Sequence, residues 1–142
     1  MIQLLSGIKS TSSALEAEQT RFDIVSQNLA NAQVTRGPNG EPYRRQQVIF
    51  ESLLSKGAGG ATSGDVHTVH VSKITPDQAP FREVFNPGHP DADQNGNVQY
   101  PNVNVHEEMV DMIASSRAFE ANLAVVKNAR QMAQQSMAIG KR

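Results

Sequence analysis

The sequence predicts a mainly α-helical fold with a small β-rich insert, in which long N- and C-terminal helices pair as a coiled-coil-like hairpin. Near both ends of the chain, apolar residues recur at alternating intervals of four and three, which is the spacing of a helical seam. Between the ends lie short β-rich runs, separated by turns rich in Gly, Pro, Asn and Asp. We therefore expect an N-terminal helix at residues 1–36, the insert at 37–101 and a C-terminal helix at 102–142.

The N-terminal helix is predicted from a seam in which seven of nine positions are apolar. Its start has two candidates, near Gln3 and near Ala14, because Ser13 and Glu16 have the spacing of a capping box. Its end is clearer, since residues 37–40 read Gly-Pro-Asn-Gly and break a helix. The seam positions are Leu4, Ile8, Thr11, Leu15, Glu18, Phe22, Val25, Leu29 and Ala32.

The insert contains three runs that favour strands, at residues 43–54, 65–74 and 81–85. Residues 56–64 are small and Gly-rich, which indicates a loop between the first two runs. Residues 86–97 are dense in Pro, Gly, Asn and Asp, so we expect turns there.

The C-terminal helix has a seam in which eight of ten positions are apolar. Asn104 suits its N-cap, and the helix dipole favours Glu107 and Glu108 in the first turn. Pro101 lies just upstream, and Gly140 suits the far end. The seam positions are Val105, Met109, Met112, Ser116, Phe119, Leu123, Val126, Arg130, Ala133 and Met137.

The C-terminal helix is too long to be enclosed within a compact domain formed by this chain alone. A helix over residues 104–139 extends about 54 Å at 1.5 Å per residue, whereas a compact domain of this size is about 37 Å across. The outer faces of the helix carry Ala, Ser and Gln rather than dense charge, which lets other helices approach closely. We expect those helices to come from neighbouring chains.

Composition excludes several classes of function. The 142 residues contain no Cys, so there is no disulfide framework, thiolate zinc site or thiol nucleophile. The net charge is −1 and the basic residues form no block, so nucleic-acid binding by a basic face has no support. No segment approaches the roughly 20 apolar residues of a membrane span, and residues 1–10 lack the pattern of a cleaved signal peptide. We therefore expect a cytoplasmic protein, unless it is exported by a pathway that requires no such signal.

One run imitates a metal site. Asp91, Asp93, Asn95 and Gly96 copy the opening of an EF-hand calcium loop, but Asn102 stands where that loop requires a bidentate Glu. We interpret the run as a turn between short strands. The four His residues are scattered, and neither a phosphate-binding loop nor a nucleophile elbow is present. We therefore expect no catalytic residues, no metal, no cofactor and no small-molecule substrate.

Four runs of the chain resemble a known family. The run SALEAEQTRFDIVSQNLANA (residues 13–32) resembles the N-terminal motif shared by flagellar rod and hook proteins. The run YPNVNVHEEMVDMIASSRAFEANLAVVKNARQMAQQSMAIGK (100–141) is similar to the C-terminal motif of the proximal rod proteins of the FlgC type, as are PYRRQ (42–46) and PFREVFNPGHPDADQNGNVQYPN (80–102). The likeness spans most of the chain outside residues 51–65.

The resemblance implies a structural subunit of the bacterial flagellar basal-body rod, which transmits motor torque. It implies export without a cleaved signal peptide through the flagellar type III apparatus, and assembly in the periplasm with copies of itself and other rod proteins, without membrane insertion. It also implies terminal segments that become ordered on assembly. The expected assembly interface comprises Leu15, Phe22, Val25, Asn28, Leu29, Asn31, Met109, Met112, Phe119, Asn122, Leu123 and Val126.

Other readings of the pattern remain open at this point. A cytoplasmic coiled-coil adaptor or chaperone-like protein has similar seams, and a monomeric helical hairpin with a β cap requires no neighbours. A calcium-dependent or other enzyme is the third alternative, which calcium binding would support.

Overall fold

The computed structural model describes residues 2–55 and 66–139. It confirms the predicted order of a long helix, a small β insert and a second long helix, and the strands of the insert pair antiparallel. The loop predicted at residues 56–64 and the helix end predicted at Gly140 lie outside the described residues. The elements are α1 (Ile2–Ala30), β1 (Gln46–Ser55), β2 (Val66–Pro76), β3 (Arg82–Phe85), β4 (Asn97–Tyr100) and α2 (Val105–Ile139).

Helix α1 begins at Ile2, so the earlier of the two expected starts is correct. The capping box expected at Ser13 is wrong, because the helix runs through this position. The Ser13 hydroxyl instead donates a hydrogen bond to the Ser10 carbonyl (2.8 Å) and accepts one from the Val69 amide (3.2 Å). Ser13 therefore anchors strand β2 to the middle of α1.

The insert consists of two separate antiparallel pairs. Strands β1 and β2 pair from Gln46 with Pro76 to Ser55 with Val66, with a register shift between Ile49 and Phe50. Strands β3 and β4 form a shorter hairpin. Strand β4 is the short strand expected after the turn; its bounds were not predicted, because four residues are too few to show an alternating pattern.

The EF-hand-like run closes the β3–β4 hairpin, as the turn interpretation predicted. One carboxylate oxygen of Asp93 accepts hydrogen bonds from the amides of Asn95 and Asn97, both at 2.8 Å. Gly96 has a φ of 79°, in the left-handed region that other residues rarely adopt. The Asp93 side chain thus stabilises a turn by bonding its own backbone neighbours.

Helix α2 packs on α1 and on no other described helix or strand. Asn104 caps it as expected, accepting a hydrogen bond from the His106 amide at 3.2 Å. The two helices run antiparallel, since α1 position 28 lies beside α2 position 108 and position 21 beside 111. A coiled-coil geometry for this pair remains a prediction. Neither helix has the length of apolar sequence that crossing a bilayer requires, in the part of the chain described.

The apolar core is small. Among the described residues, the buried apolar side chains are few and most are short. The helix–helix and helix–strand contacts are therefore completed by polar groups, which define the site described below. The buried apolar residues are Ala17, Ile24, Val25, Ala32 and Val98.

We predict that Gly96→Ala destabilises the fold by about 1–3 kcal/mol, because an added Cβ would sit in a left-handed conformation. That Cβ would also lie 3.0 Å from the Phe85 ring and 3.1 Å from the Pro87 Cβ. Urea denaturation measures the change. The control is Gly88→Ala, whose Cβ would meet nothing closer than 3.8 Å and which should shift stability by less than about 0.5 kcal/mol. Equal effects of both variants would contradict the argument.

Candidate functional site

A buried polar junction lies where the two helices meet the insert; it comprises Asn28, Tyr43, Arg45 and Glu108. The Asn28 amide group donates hydrogen bonds to Glu108 Oε2 (3.0 Å) and to the Gln46 carbonyl (2.9 Å). Its oxygen accepts from the Gln46 amide and the Tyr43 hydroxyl, both at 2.9 Å. Both donors and both acceptor sites of Asn28 are thus used, although the side chain is almost completely buried.

Glu108 is the largest fully buried side chain among the described residues. Its Oε1 accepts a hydrogen bond from Arg45 Nε at 2.6 Å, a short, charge-assisted contact. The other end of the Arg45 guanidinium lies 3.6 Å from Asp77, and the Arg45 amide donates to Asn102 Oδ1 at 2.9 Å. The buried negative charge therefore has a cationic partner, as a carboxylate in the interior requires.

The junction also sets the protonation of its donors. Burial raises the pKa of Tyr43, and the negative charge of Glu108 raises it further. Burial lowers the pKa of Arg45, but its hydrogen bond to Glu108 and the nearby carboxylates outweigh burial, so the net direction is upward. Near neutral pH both groups keep their protons and both donate. Because the pKa of Tyr43 is higher in the folded chain, the contribution of its hydroxyl to stability is complete below a pH of about 10, the ordinary pKa of tyrosine. This contribution is lost as the pH rises through the pKa of the folded state.

This arrangement positions segments of the chain. Glu108 has no contact with solvent, and both its oxygens accept hydrogen bonds from within the chain. Among the described residues, no three His, Cys, Asp or Glu side chains converge as metal ligands would. What the junction does is connect α1, the segment before β1 and the first turn of α2 through one set of hydrogen bonds.

The second feature is the surface of α2 that α1 leaves uncovered, which spans more than one face of the helix; we call it the open side of α2. Large apolar side chains protrude from it along most of its length, each about half or more exposed. Leu123 and Val125 are 52% and 53% exposed although they lie on different sides of the helix. Surface of this kind marks a binding site when it is contiguous. The exposed apolar residues of α2 are Met109, Val110, Ile113, Leu123, Val125, Met132, Met137 and Ile139.

The structure distributes the expected interface residues over three environments. Two of them are buried inside the chain itself, namely Val25 and Asn28. Exposed to solvent are Phe22, Met109 and Leu123. Those half-buried are Leu15, Leu29, Asn31, Met112, Phe119, Asn122 and Val126. Their role in binding neighbouring chains stays a prediction.

Phe22 and Phe119 come together in one cleft of about 370 Å³ between α1 and α2, also lined by Glu18 and Ser115. The α2 face toward α1 passes through Glu108, Met112, Ser115 and Phe119. This face is displaced sideways from the predicted seam, and Met109 and Leu123 are left outside it.

Sequence reasoning missed the roles of Tyr43, Arg45 and Glu108. The helix dipole accounts for a carboxylate at position 108 in the first turn of α2, but it does not predict the contacts of Glu108 with Asn28 and Arg45. Its only pattern signal is the spacing of four and three that links it to Met112 and Ser115. Arg45 lies 63 positions away, and nothing local indicates the pairing.

We predict that Glu108→Gln destabilises the chain by about 2–4 kcal/mol. An amide NH₂ would face a hydrogen-bond donor on either side, Asn28 Nδ2 or Arg45 Nε, and Arg45 would lose its buried counter-charge. Chemical denaturation measures the loss. The matched control is Glu107→Gln, an exposed neighbour in the same turn, which should change stability by less than about 0.5 kcal/mol. A wild-type stability for Glu108→Gln would contradict the role assigned to the junction.

Comparison with known proteins places these features in a family. Residues 8–38 match the family described as flagella basal body rod protein, and residues 94–139 match the C-terminal region described as flagellar basal body rod FlgEFG protein. Both matched segments cover most of a terminal helix, and the second also covers β4.

Curated relatives match almost the whole chain. Flagellar basal-body rod protein FlgC of Borreliella burgdorferi is 40% identical, with 96% of this chain and 97% of that protein covered. FlgC of Salmonella typhimurium is 40% identical, with 90% and 91% covered, and FlgC of Bacillus subtilis is 42% identical, with 92% and 94% covered. The chain therefore belongs to the FlgC-type flagellar basal-body rod proteins.

Proposed function

We propose that this chain, a structural subunit of the flagellar basal-body rod, assembles into the proximal rod through its two terminal helices and transmits torque there. The observation that carries the proposal is the open side of α2, where eight large apolar residues stay about half or more exposed. Helix α2 has 35 residues and a single packing partner among the described elements. Neighbouring subunits supply the missing cover.

Surface area supports this proposal. The chain exposes 10299 Å², whereas a compact monomer of 15.4 kDa exposes about 7200 Å². The excess is of the order that subunit interfaces bury, since a standard interface covers about 800 Å² on each partner. A subunit in a helical array has several such contacts, because each copy binds neighbours through non-identical surfaces.

The three regions then have separate tasks. The terminal segments 1–36 and 102–142, which contain α1 and α2, act in assembly, while the insert at 37–101 lies further from the rod axis and contacts adjacent subunits. The junction at Glu108 fixes the insert relative to both helices, because its hydrogen bonds reach all three regions. Because the insert is held rigidly to both helices, the subunit transmits a twisting force from the helices to the insert and does not bend at the junction.

The proposal includes the route and the partners. The chain leaves the cytoplasm through the flagellar type III export apparatus without a cleaved signal peptide and joins the rod in the periplasm, with copies of itself and other rod proteins as neighbours. Its role is mechanical and not enzymatic, since its best-buried charged group is fully engaged within the fold. The cytoplasmic adaptor is not favoured by the relatives found.

We predict that Leu123→Asp abolishes motility when it replaces the wild-type chain in a flagellated host. A carboxylate in place of a covered leucine costs about 3 kcal/mol per contact, or roughly a 100-fold loss of assembly affinity. Soft-agar swimming measures the effect, with the amount of exported chain measured in parallel. Leu123 is half exposed, so the substitution leaves the subunit's own fold intact.

The matched control for that experiment is Leu123→Met, which keeps an apolar side chain of similar volume and should keep motility. Normal swimming of the Leu123→Asp strain, at a normal exported amount, would overturn the assembly role of this side of α2.

A further inference from the structure

The interface between α1 and α2 contains a buried polar atom without a hydrogen-bond partner. Oxygen Oε2 of Glu18 is shielded from solvent and accepts no hydrogen bond from the described residues. Glu18 lines the cleft between the helices together with Phe22, Ser115 and Phe119. A buried acceptor that has lost its water without gaining a donor is unfavourable, and a carboxylate oxygen is more unfavourable than a neutral one. The pairing of α1 with α2 is therefore weakened at this level.

Two possible donors near Glu18 are used elsewhere. The Ser115 hydroxyl, which lines the same cleft, donates its hydrogen bond to the Met112 carbonyl at 3.1 Å. Arg21 lies three positions further along α1, but its guanidinium donates to Asp111 at 3.4 Å. Among the described residues, no cationic side chain forms an ion pair with Glu18. Closing the helices therefore leaves this oxygen unsatisfied.

Glu18 also lies at the level where burial of the helix pair ends. Its neighbour Ala17 is the first buried residue along the described part of α1, and Ser115 is the last buried residue of α2. Residues 7–16 of α1 and 116–139 of α2 are all half-buried or exposed; we call these two stretches the outer segments. The unfavourable oxygen thus stands at the boundary between the well-covered part of the helix pair and the outer segments.

We infer that Glu18 keeps the outer segments apart in the isolated chain, so that they close only when neighbouring subunits cover them. Separation of the helices returns the Glu18 carboxylate to water, whereas closure buries Oε2 without a donor. Little buried apolar surface in the outer segments opposes this separation. The inference rests on the proposed assembly through α1 and α2, because contacts with neighbours in the rod then outweigh the cost of burying the oxygen. Glu18 thereby couples closure of the helix pair to assembly.

Hydrogen exchange followed by mass spectrometry measures this opening in the purified, full-length chain. Glu18→Met removes the carboxylate and keeps nearly the same helix propensity. It should slow amide exchange across residues 116–139 by about tenfold, because closure no longer buries an unsatisfied oxygen. The matched control is Glu16→Met, which removes the same charge from an exposed position on α1 and should change exchange by less than about twofold. Equal slowing by both variants, or no slowing by Glu18→Met, would overturn the inference.

A second variant separates the loss of charge from the gain of an apolar side chain. Glu18→Gln removes the charge without adding apolar surface, and burial of a neutral amide oxygen costs less than burial of a carboxylate oxygen. It should slow exchange across residues 116–139 by about threefold. Slowing by Glu18→Met alone would assign the effect to contacts of the new side chain with Phe22 and Phe119, and would also overturn the inference.

The exchange measurement requires no rod, so its outcome is distinguishable from that of the proposed function. Unchanged exchange in Glu18→Met would remove the role of Glu18 and leave the assembly role of α2 intact. Slower exchange in that variant, together with normal swimming of the Leu123→Asp strain, would support the effect of Glu18 on the helix pair and overturn the assembly role.

Discussion

The structure depends on burying one carboxylate. Glu108 is completely shielded from water in a chain whose buried apolar side chains number only five among the described residues. Its partners come from two segments that the chain must bring together, α1 at Asn28 and the segment before β1 at Arg45. An unpaired carboxylate in this position is far more costly than a missing apolar contact. The helices and the insert must therefore adopt their relative positions together, because a partial junction leaves charge uncompensated.

Burial decreases with distance from this junction. On α2 the buried residues are Glu108 and Ser115, both in the first third of the helix. On α1 no described residue before Ala17 is buried. The junction end of the helical pair is thus well fixed, and the opposite end is held by small and half-exposed side chains. Local stability follows burial, so the far end opens and exchanges partners most easily. It is also the end with most of the uncovered apolar residues that the assembly proposal invokes.

The sequence predicts the helices better than the site, for a physical reason. Helices with long seams are recognised from residues three and four apart, and the turn at Gly96 follows from local chemistry, so both can be predicted from neighbouring residues. The junction cannot be predicted in this way. Glu108 hydrogen bonds with Asn28, 80 positions away, and no local pattern encodes that distance. The predicted seam of α2 coincides only partly with the face toward α1, since Met109 and Leu123 lie outside that face. An apolar stripe shows that a face is covered, but not whether the chain itself or a neighbour covers it.

We propose that the chain passes the export apparatus in an unfolded state, and a polar junction suits that route. An apolar core of the same size would contribute stability through every buried methylene and would resist unfolding before export. A buried ion pair contributes little net stability, since the cost of removing both charges from water offsets their attraction. It still penalises wrong arrangements strongly, because any misplacement leaves Glu108 or Arg45 without its partner. The Glu108 junction can therefore specify one geometry for the assembled subunit without making the isolated chain difficult to unfold.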